Sequence, residues 1–392
     1  MATMRDKVIA KFREVYGHKG EVSVFFSPGR VNLIGEHIDY NGGHVFPMAL
    51  DLGTYIAVRT RPDKKVNFCS YNFDMKKTIS LDKIEKQPDD DWIKYPKGVL
   101  AELKKEKVNI KGMDVYVYGD LPNGSGLSSS ASLEVGTGFA FARLAGKKPD
   151  LVKLALLGQR AENEFVGVKC GIMDQFACAN GKAGHAILLN TNTMKFAHVP
   201  LNLVSHHIVI VNSNKKRGLV DSQYNARRAE CERALEKLRE KKKSLKALAE
   251  LGVGDLGLVK RLLNGNEEKR ARFVIEENDR VLTSVNALKK KDIKKFGECM
   301  SKSHEGLRDL YEVSCRELDI LVELSTGVAG VLGARMTGAG FGGCIVALVP
   351  KDRVEQYIEH VYTNYKERTR LDADVYVVRP ADGVHELKDP KK

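Results

Sequence analysis

The chain has 392 residues, 43% hydrophobic and 29% charged, with a formal net charge of +13. That balance fits a soluble globular protein with a sizeable core and length for two domains. No apolar run approaches the ~20 residues needed to span a bilayer. Met1 to Lys11 is charged with no long apolar stretch behind it, which argues against a secretory signal. The cysteines (Cys69, Cys170, Cys178, Cys231, Cys299, Cys315 and Cys344) are odd in number and form no CxxC pair. A disulfide framework and a structural zinc site are therefore not expected, and a reducing, cytoplasmic setting is. The lysine excess lies in polar stretches such as Lys241 to Lys243 and Lys289 to Lys291, without interleaved aromatics. A solvated helix face explains it better than a nucleic-acid or membrane surface.

In chain order, Val22 to Phe26 reads as a strand punctuated by Ser27-Pro28-Gly29. Asn41-Gly42-Gly43 is a turn signal, followed by strand-like Val45 to Leu50, Tyr55 to Arg59 and Val66 to Ser70. Val99 to Lys105 looks helical. Met113 to Tyr118 is a strand that leads directly into a glycine-serine loop. Ala131 to Leu144 is helical despite Gly136 and Gly138, which would permit close packing on a sheet. Leu151 to Glu164 is a second amphipathic helix. Ala186 to Leu189 and His207 to Val211 are strands, and a composition shift near 195–210 marks a candidate domain boundary. Gln223 to Lys246 has the composition of a long exposed helix, and helical patterns continue to about residue 325. A second glycine-rich loop, Thr337 to Gly343, precedes strand Cys344 to Val349, and Val375 to Val378 is expected to be the last strand.

Three constellations carry chemistry. The first is Gly124-Ser125-Gly126-Leu127-Ser128-Ser129-Ser130, set between a strand and a helix. Glycines let main-chain N–H groups approach an anion, and the helix aims its positive end at it. Serine hydroxyls can donate to phosphate, and one could ligate Mg²⁺. The loop lacks the lysine and spacing of a P-loop; its bland alternative is a serine N-cap after a flexible turn. The second runs from Pro28 to Tyr40 and sets Arg30, Glu36, His37 and Asp39 among apolar residues and glycines. Such a set can grip a polyhydroxylated ligand or form a salt-bridge cluster at a turn. The third joins Glu162 to Gly171-Ile172-Met173-Asp174-Gln175, two carboxylates that could serve a metal and a general base, or be merely solvated.

Together these segments resemble the galactokinase branch of the GHMP small-molecule kinases. GRVNLIGEHIDY is similar to the galactokinase signature, with Ile38 in a variable slot, and GSGLSSSAS to the shared phosphate loop. CGIMDQF, SQYNARR, SHEGLRDLYEVS and TGAGFGGC follow in the family's order, so the likeness runs from about residue 20 to about 350. The resemblance implies an α+β, two-domain GHMP kinase fold, with mixed sheets, helices packed on them, and the active site in the inter-domain cleft. Residues 1–205 would form the N-terminal domain and 206–392 the C-terminal one, with the last strand free to return to the first domain.

The resemblance further implies MgATP-dependent phosphorylation of the C1 hydroxyl of galactose, the entry step of galactose catabolism. Asp174 is then the catalytic aspartate and Arg30 its neighbour, favouring the charged carboxylate and countering charge during transfer. Glu36, His37, Asp39, Gly171 and Tyr224 match sugar contacts, together with Arg30 and Asp174. Ser130 and Glu162 match Mg²⁺ positions. Gly124 to Ser130 would bind nucleotide, with Ser70 and Trp92 flanking it. The partners implied are galactose and ATP, without nucleic acid or membrane, in a monomer or weak dimer. A kinase for N-acetylgalactosamine or another GHMP substrate is the nearest rival. A non-catalytic galactose and ATP sensor is another, disfavoured by the intact Ser130-Ala131 pair. Departures from the family pattern are Ala339 in place of glycine, Gly306, Leu310, Gln223 and Pro96. A left-handed alanine would cost ~1–2 kcal/mol, so Ala339 is predicted to have a negative φ.

Overall fold

The computed structural model describes residues 3–122, 126–215 and 220–389, with Val220 and Asp221 as backbone only. Gly124 and Ser125 of the phosphate loop lie outside the described residues. No helix among the described residues is long and apolar enough to cross a membrane.

The first half builds a six-stranded mixed sheet. Its strands are β1 (Ser23–Asn32), β3 (Pro47–Arg61), β4 (Lys65–Ser70), β5 (Lys76–Ser80), β6 (Gly112–Gly119) and β13 (His385–Glu386). The spatial order is β13-β1-β3-β6-β4-β5; β4 runs parallel to β6 and every other pair is antiparallel. Helix α1 (Met4–Tyr16) covers one face through Val8 and Phe12, which pack with Val24, Ala57 and Tyr116. On the other face lie α2 (Lys94–Lys105), α3 (Ser129–Leu144) and α4 (Leu151–Arg160). Strand β1 is thus buried from Val24 to Asn32, and its apolar content follows from that double cover. Helix α3 is buried almost all round. A Cβ on Gly136 would sit 2.7 Å from Ile56 Cδ1, and one on Gly138 2.8 Å from Leu154 Cδ1. Gly136 therefore sets the helix-to-sheet distance, as expected from the sequence, whereas Gly138 lets α3 approach the neighbouring helices α4 and α2 rather than the sheet.

Two smaller sheets follow. One joins β2 (His44–Val45), β7 (His185–Asn190) and β8 (Phe196–Pro200) beside α5 (Met173–Asn180). The other, in the second half, is antiparallel: β10 (Ala334–Thr337), β11 (Cys344–Pro350), β9 (His206–Asn212) and β12 (Asp374–Val378), in that order. On it pack α9 (Ile293–Asp309), α10 (Arg316–Gly327) and α11 (Val354–Thr369); α8 (Gly265–Lys289) packs on α9 and reaches β2 and β8, and α6 (Val220–Arg239) and α7 (Leu256–Leu262) pack on α8. One hydrophobic core runs from Val31 and Phe46 through Phe273 to Tyr365 and joins the halves.

Several sequence expectations are corrected. Ser27-Pro28-Gly29 does not end β1; the strand absorbs the proline's missing N–H in a register shift between Pro28 and Arg30. Val45 to Leu50 and Tyr55 to Arg59 are not separate strands, because Pro47–Arg61 runs unbroken. The helix expected to reach Glu164 ends at Arg160 and continues as a π-helical turn, Ala161–Val166. Helix α6 stops at Arg239, short of Lys246, and buries Cys231, Ala234 and Leu238. Lys241 to Lys243 are exposed in the turn beyond it rather than on a helix face. Val375 to Val378 is not the last strand, since β13 follows and pairs with β1. Pro96 is accommodated in the first turn of α2, where its N–H would have no partner.

Candidate active site

The bend in β1 aims Arg30 at the loop before α3. Its main-chain N–H donates to Leu127 O at 3.2 Å, and Nη1 donates to Gly126 O at 2.7 Å. Nε and Nη2 donate to Asp174 Oδ1 and Oδ2, each at 2.7 Å. Asp174 lies in the first turn of α5, so the fork joins the sugar-like signature, the phosphate loop and the third constellation. Ser128 occupies the N-cap position of α3 with φ +61, yet makes no capping bond. Its hydroxyl instead donates to Asp174 Oδ2. The serine N-cap reading of the loop therefore fails at Ser128: its hydroxyl serves the carboxylate.

A second carboxylate group lies beside this pair. Burial, and then the charge of Asp174, push Glu162 up to about 7. Its carboxylate takes hydrogen bonds from Gln175 Nε2 at 2.7 Å, from Cys170 Sγ at 3.4 Å and from Ser130. Glu134 of α3 lies against it and is raised well above the usual carboxylate range, by burial first and Glu162 second. Among the described residues no group of three or more His, Cys, Asp or Glu is arranged to hold a metal ion. The Ser130–Glu162 pair nevertheless fits Mg²⁺. Two protein oxygens suffice for an ion that keeps waters and takes phosphate oxygens, and a cation there would relieve the repulsion among Glu162, Glu134 and Asp174.

The sugar-like signature forms the far wall. Glu36 is 1% exposed and accepts from Asn32 Nδ2, from the Gly338 N–H and, at 3.4 Å, from Thr337 Oγ1. Arg335 Nη1 and Nη2 also stand 3.4 Å from it. His37, at φ +61, uses Nε2 on Ala339 O at 3.1 Å and Nδ1 on Tyr40 Oη at 2.8 Å. Asp39 faces Gly171 so closely that a Cβ there would overlap its carboxylate. Burial and then Asp174 raise Asp39 to about 6. Tyr224 packs its ring 5.4 Å from those of His37 and Tyr40. One cleft is lined by these residues, from Arg30 and Ser130 to Tyr224. An adjoining pocket is lined by Ser70, Trp92, Ser129 and Ser130, and the buried Trp92 Nε1 has no hydrogen-bond partner among the described residues.

The described site residues expected from sequence thus gather in two connected pockets, except Leu127, whose side chain is buried in the core behind them. Three family models match the chain. The galactokinase galactose-binding signature matches residues 10–60, the GHMP kinase N-terminal domain 94–182, and the GHMP kinase C-terminal domain 284–367. A galactokinase of Fusobacterium nucleatum is 48% identical over 98% of this chain and 100% of its own length. The chain belongs to the galactokinase family. It is thereby an ATP-dependent sugar kinase of the GHMP class. A Bacillus subtilis galactokinase is 44% identical over 98% of this chain and 100% of its own. The crystal structure of Lactococcus lactis galactokinase complexed with galactose matches with a TM-score of 0.95 at 42% identity, covering 98% of this chain and 100% of that one. The Methanococcus jannaschii mevalonate kinase, at 21% identity and a TM-score of 0.67, shares the fold.

Some members of this galactokinase site escaped the sequence reading. Lys94 lines the cleft. Thr337 and Arg335 hold Glu36, and Glu134 backs Glu162. Tyr40 belongs to the signature, but nothing in the sequence alone gives it a role. Each lies far in sequence from the group it touches, except Tyr40, whose helical-turn spacing from His37 was a usable signal.

Proposed function

We propose that this galactokinase-family chain transfers the γ-phosphoryl group of ATP to the C1 hydroxyl of α-D-galactose, giving galactose 1-phosphate and ADP. The observation that carries the reading is the Arg30–Asp174 fork, held at 2.7 Å between the phosphate loop and the sugar-like wall. Phosphoryl transfer demands positioning and charge neutralisation more than covalent help. Asp174 accepts the C1 hydroxyl proton as the oxygen bonds to the γ-phosphorus and the bridging oxygen leaves with ADP. Arg30 balances the carboxylate and the charge that develops on the transferred group. Asp39 and Tyr224 take sugar hydroxyls, with Gly171 leaving room for them. Glu36 and His37, whose polar atoms are already engaged, shape the wall. Gly124 to Ser130 cradle the phosphates, while Ser70 and Trp92 flank the base, where the unpartnered Trp92 N–H offers a donor. Ser130 and Glu162 would hold Mg²⁺, which supplies neutralisation of phosphate charge when bound. Residues 1–205 and 206–392 serve as the two lobes of the cleft, with β13 crossing back. A coupled ADP-release assay across galactose, N-acetylgalactosamine and glucose tests the reading. Fastest turnover on galactose is expected; preference for another sugar, or binding without turnover, would overturn it.

A further inference from the structure

Tyr311 belongs to the SHEGLRDLYEVS segment, which the reaction does not use. It is fully buried just beyond α9. Its ring packs 4.7 Å from Phe273 and 5.0 Å from His37, and the Arg270 guanidinium stands 5.9 Å from its centre. Its hydroxyl lies 2.9 Å from Tyr40 Oη and 3.1 Å from Cys231 Sγ. Tyr40 Oη in turn lies 2.8 Å from His37 Nδ1.

The direction of every bond in this series follows from one carbonyl. Ala339 O can only accept, so His37 Nε2 carries the proton of their 3.1 Å bond. Burial holds His37 down to about 3, so the ring is neutral and Nδ1 can only accept. Tyr40 must then give its single proton to Nδ1. Tyr311 must give its own to Tyr40, and the Cys231 thiol is left to donate to Tyr311. No hydroxyl in the series has a free choice.

We propose that Tyr40 and Tyr311 are positioning residues for the sugar end of the cleft: acting in series, they fix the tautomer and the aim of the His37 imidazole. This rests on the galactokinase reading above. His37 holds a left-handed backbone conformation that few non-glycine residues adopt, and Asp39 follows two positions later. With both nitrogens engaged, the ring cannot turn into the space where the sugar sits. Without the Tyr40 hydroxyl, Nδ1 would be a buried acceptor with no donor, and the ring could change tautomer and release Ala339.

The test combines Tyr40→Phe, Tyr311→Phe and the double variant, with thermal unfolding to verify the fold. Tyr40→Phe is expected to raise the galactose KM about tenfold, the effect of one lost buried hydrogen bond. The KM for ATP and kcat should stay within about twofold, which isolates the sugar end. Tyr311→Phe should raise the galactose KM by less, and the double variant should be no worse than Tyr40→Phe, as expected for groups in series. An unchanged galactose KM in Tyr40→Phe, an equal rise for both substrates, or additive effects would each overturn the proposal. If Tyr40→Phe does not fold, the wild-type protein decides. A long-range ¹H–¹⁵N spectrum at pH 7 should show His37 as the Nε2–H tautomer; an Nδ1–H tautomer or an imidazolium refutes it. Wild-type turnover of galactose in the same assay separates failure of this inference from failure of the functional reading.

Discussion

Replacing Asp174 with asparagine separates proton acceptance from sugar binding. Arg30 is only 4% exposed, and both Asp174 oxygens take its N–H groups at 2.7 Å. An amide keeps one of those acceptors and turns the other into a donor that faces a donor. Removing one charge of a fully buried pair costs ~3–5 kcal/mol. The Asp174 side chain is 29% exposed, so solvent screening brings the expected loss to ~1–3 kcal/mol. At ~2–4 °C per kcal/mol for a sizeable domain, the midpoint of thermal unfolding falls by several degrees and the variant stays folded. The chemistry should suffer far more. Loss of a positioned base lowers rates by ~10²–10⁴-fold. Asp39 and Tyr224 are untouched, so the galactose Kd should move by less than about tenfold. Calorimetric titration with galactose and a coupled ADP assay read the two quantities separately. A folded Asp174→Asn protein with kcat within tenfold of wild type would refute the base assignment.

Three further outcomes follow from single contacts. Gly171→Ala places a methyl group on the Asp39 carboxylate; we expect the galactose KM to rise by about tenfold or more with the ATP KM little changed, by steady-state kinetics. Asp39 is raised from 3.8 to about 6, by burial and then by Asp174. If its carboxylate accepts sugar hydroxyls, the galactose KM should be flat above about pH 6 and climb below it, a limb that Asp39→Asn abolishes. The stability sign is opposite: protonation favours the folded state, so that contribution is full below 3.8 and lost as pH rises through about 6. Asp39→Asn should therefore gain thermal stability over wild type at pH 7.5 more than at pH 5. Ala339 is not among the residues with positive φ, as predicted, so Ala339→Gly gains nothing in the fold and should cost ~0.5–1 kcal/mol through the freer unfolded chain. A denaturant midpoint that rose instead would contradict the backbone assignment.

The parts of the site legible in sequence are those written in contiguous residues. Strand, glycine-serine loop and helix from β6 to α3 could be read directly because loop chemistry and hydrophobic pattern change at the same points. The path of β1 through Pro28 could not, because only the partner strand β3 reveals the register shift that absorbs it. Glu162 was visible as an acid near a helix end, but the π-helical turn that carries it has no distinct period to read. Partnerships across the chain were invisible for a simpler reason. Ser128 with Asp174, and Glu36 with Gly338, are pairs in which one residue has a sound local alternative: a helix cap for Ser128, a salt-bridge cluster at a turn for Glu36. A single sequence offers no term that couples the two positions, so the local reading of each stands until the fold brings them together.

The second glycine-rich loop makes the same point from the other side. Gly338, Gly340, Gly342 and Gly343 all have positive φ, and so does Phe341. Ala339 stands among them without it. The loop is wedged between the signature segment that holds Glu36 and His37 and the loop that holds Gly126. Gly338 donates its N–H to Glu36 and backs onto Gly126 of the phosphate loop, while Ala339 O receives the proton of His37. Phe341 N–H is tied at 2.8 Å to Val313 O, two residues after Tyr311. The contacts at 339 use only the main chain and need only an ordinary backbone, so a methyl group there is tolerated. At Gly340 a Cβ would overlap the Val313 carbonyl, and no rotation of a side chain could relieve it. The departure from glycine at 339 thus falls where the geometry has slack, and leaves intact the loop that holds sugar wall and phosphate loop in register.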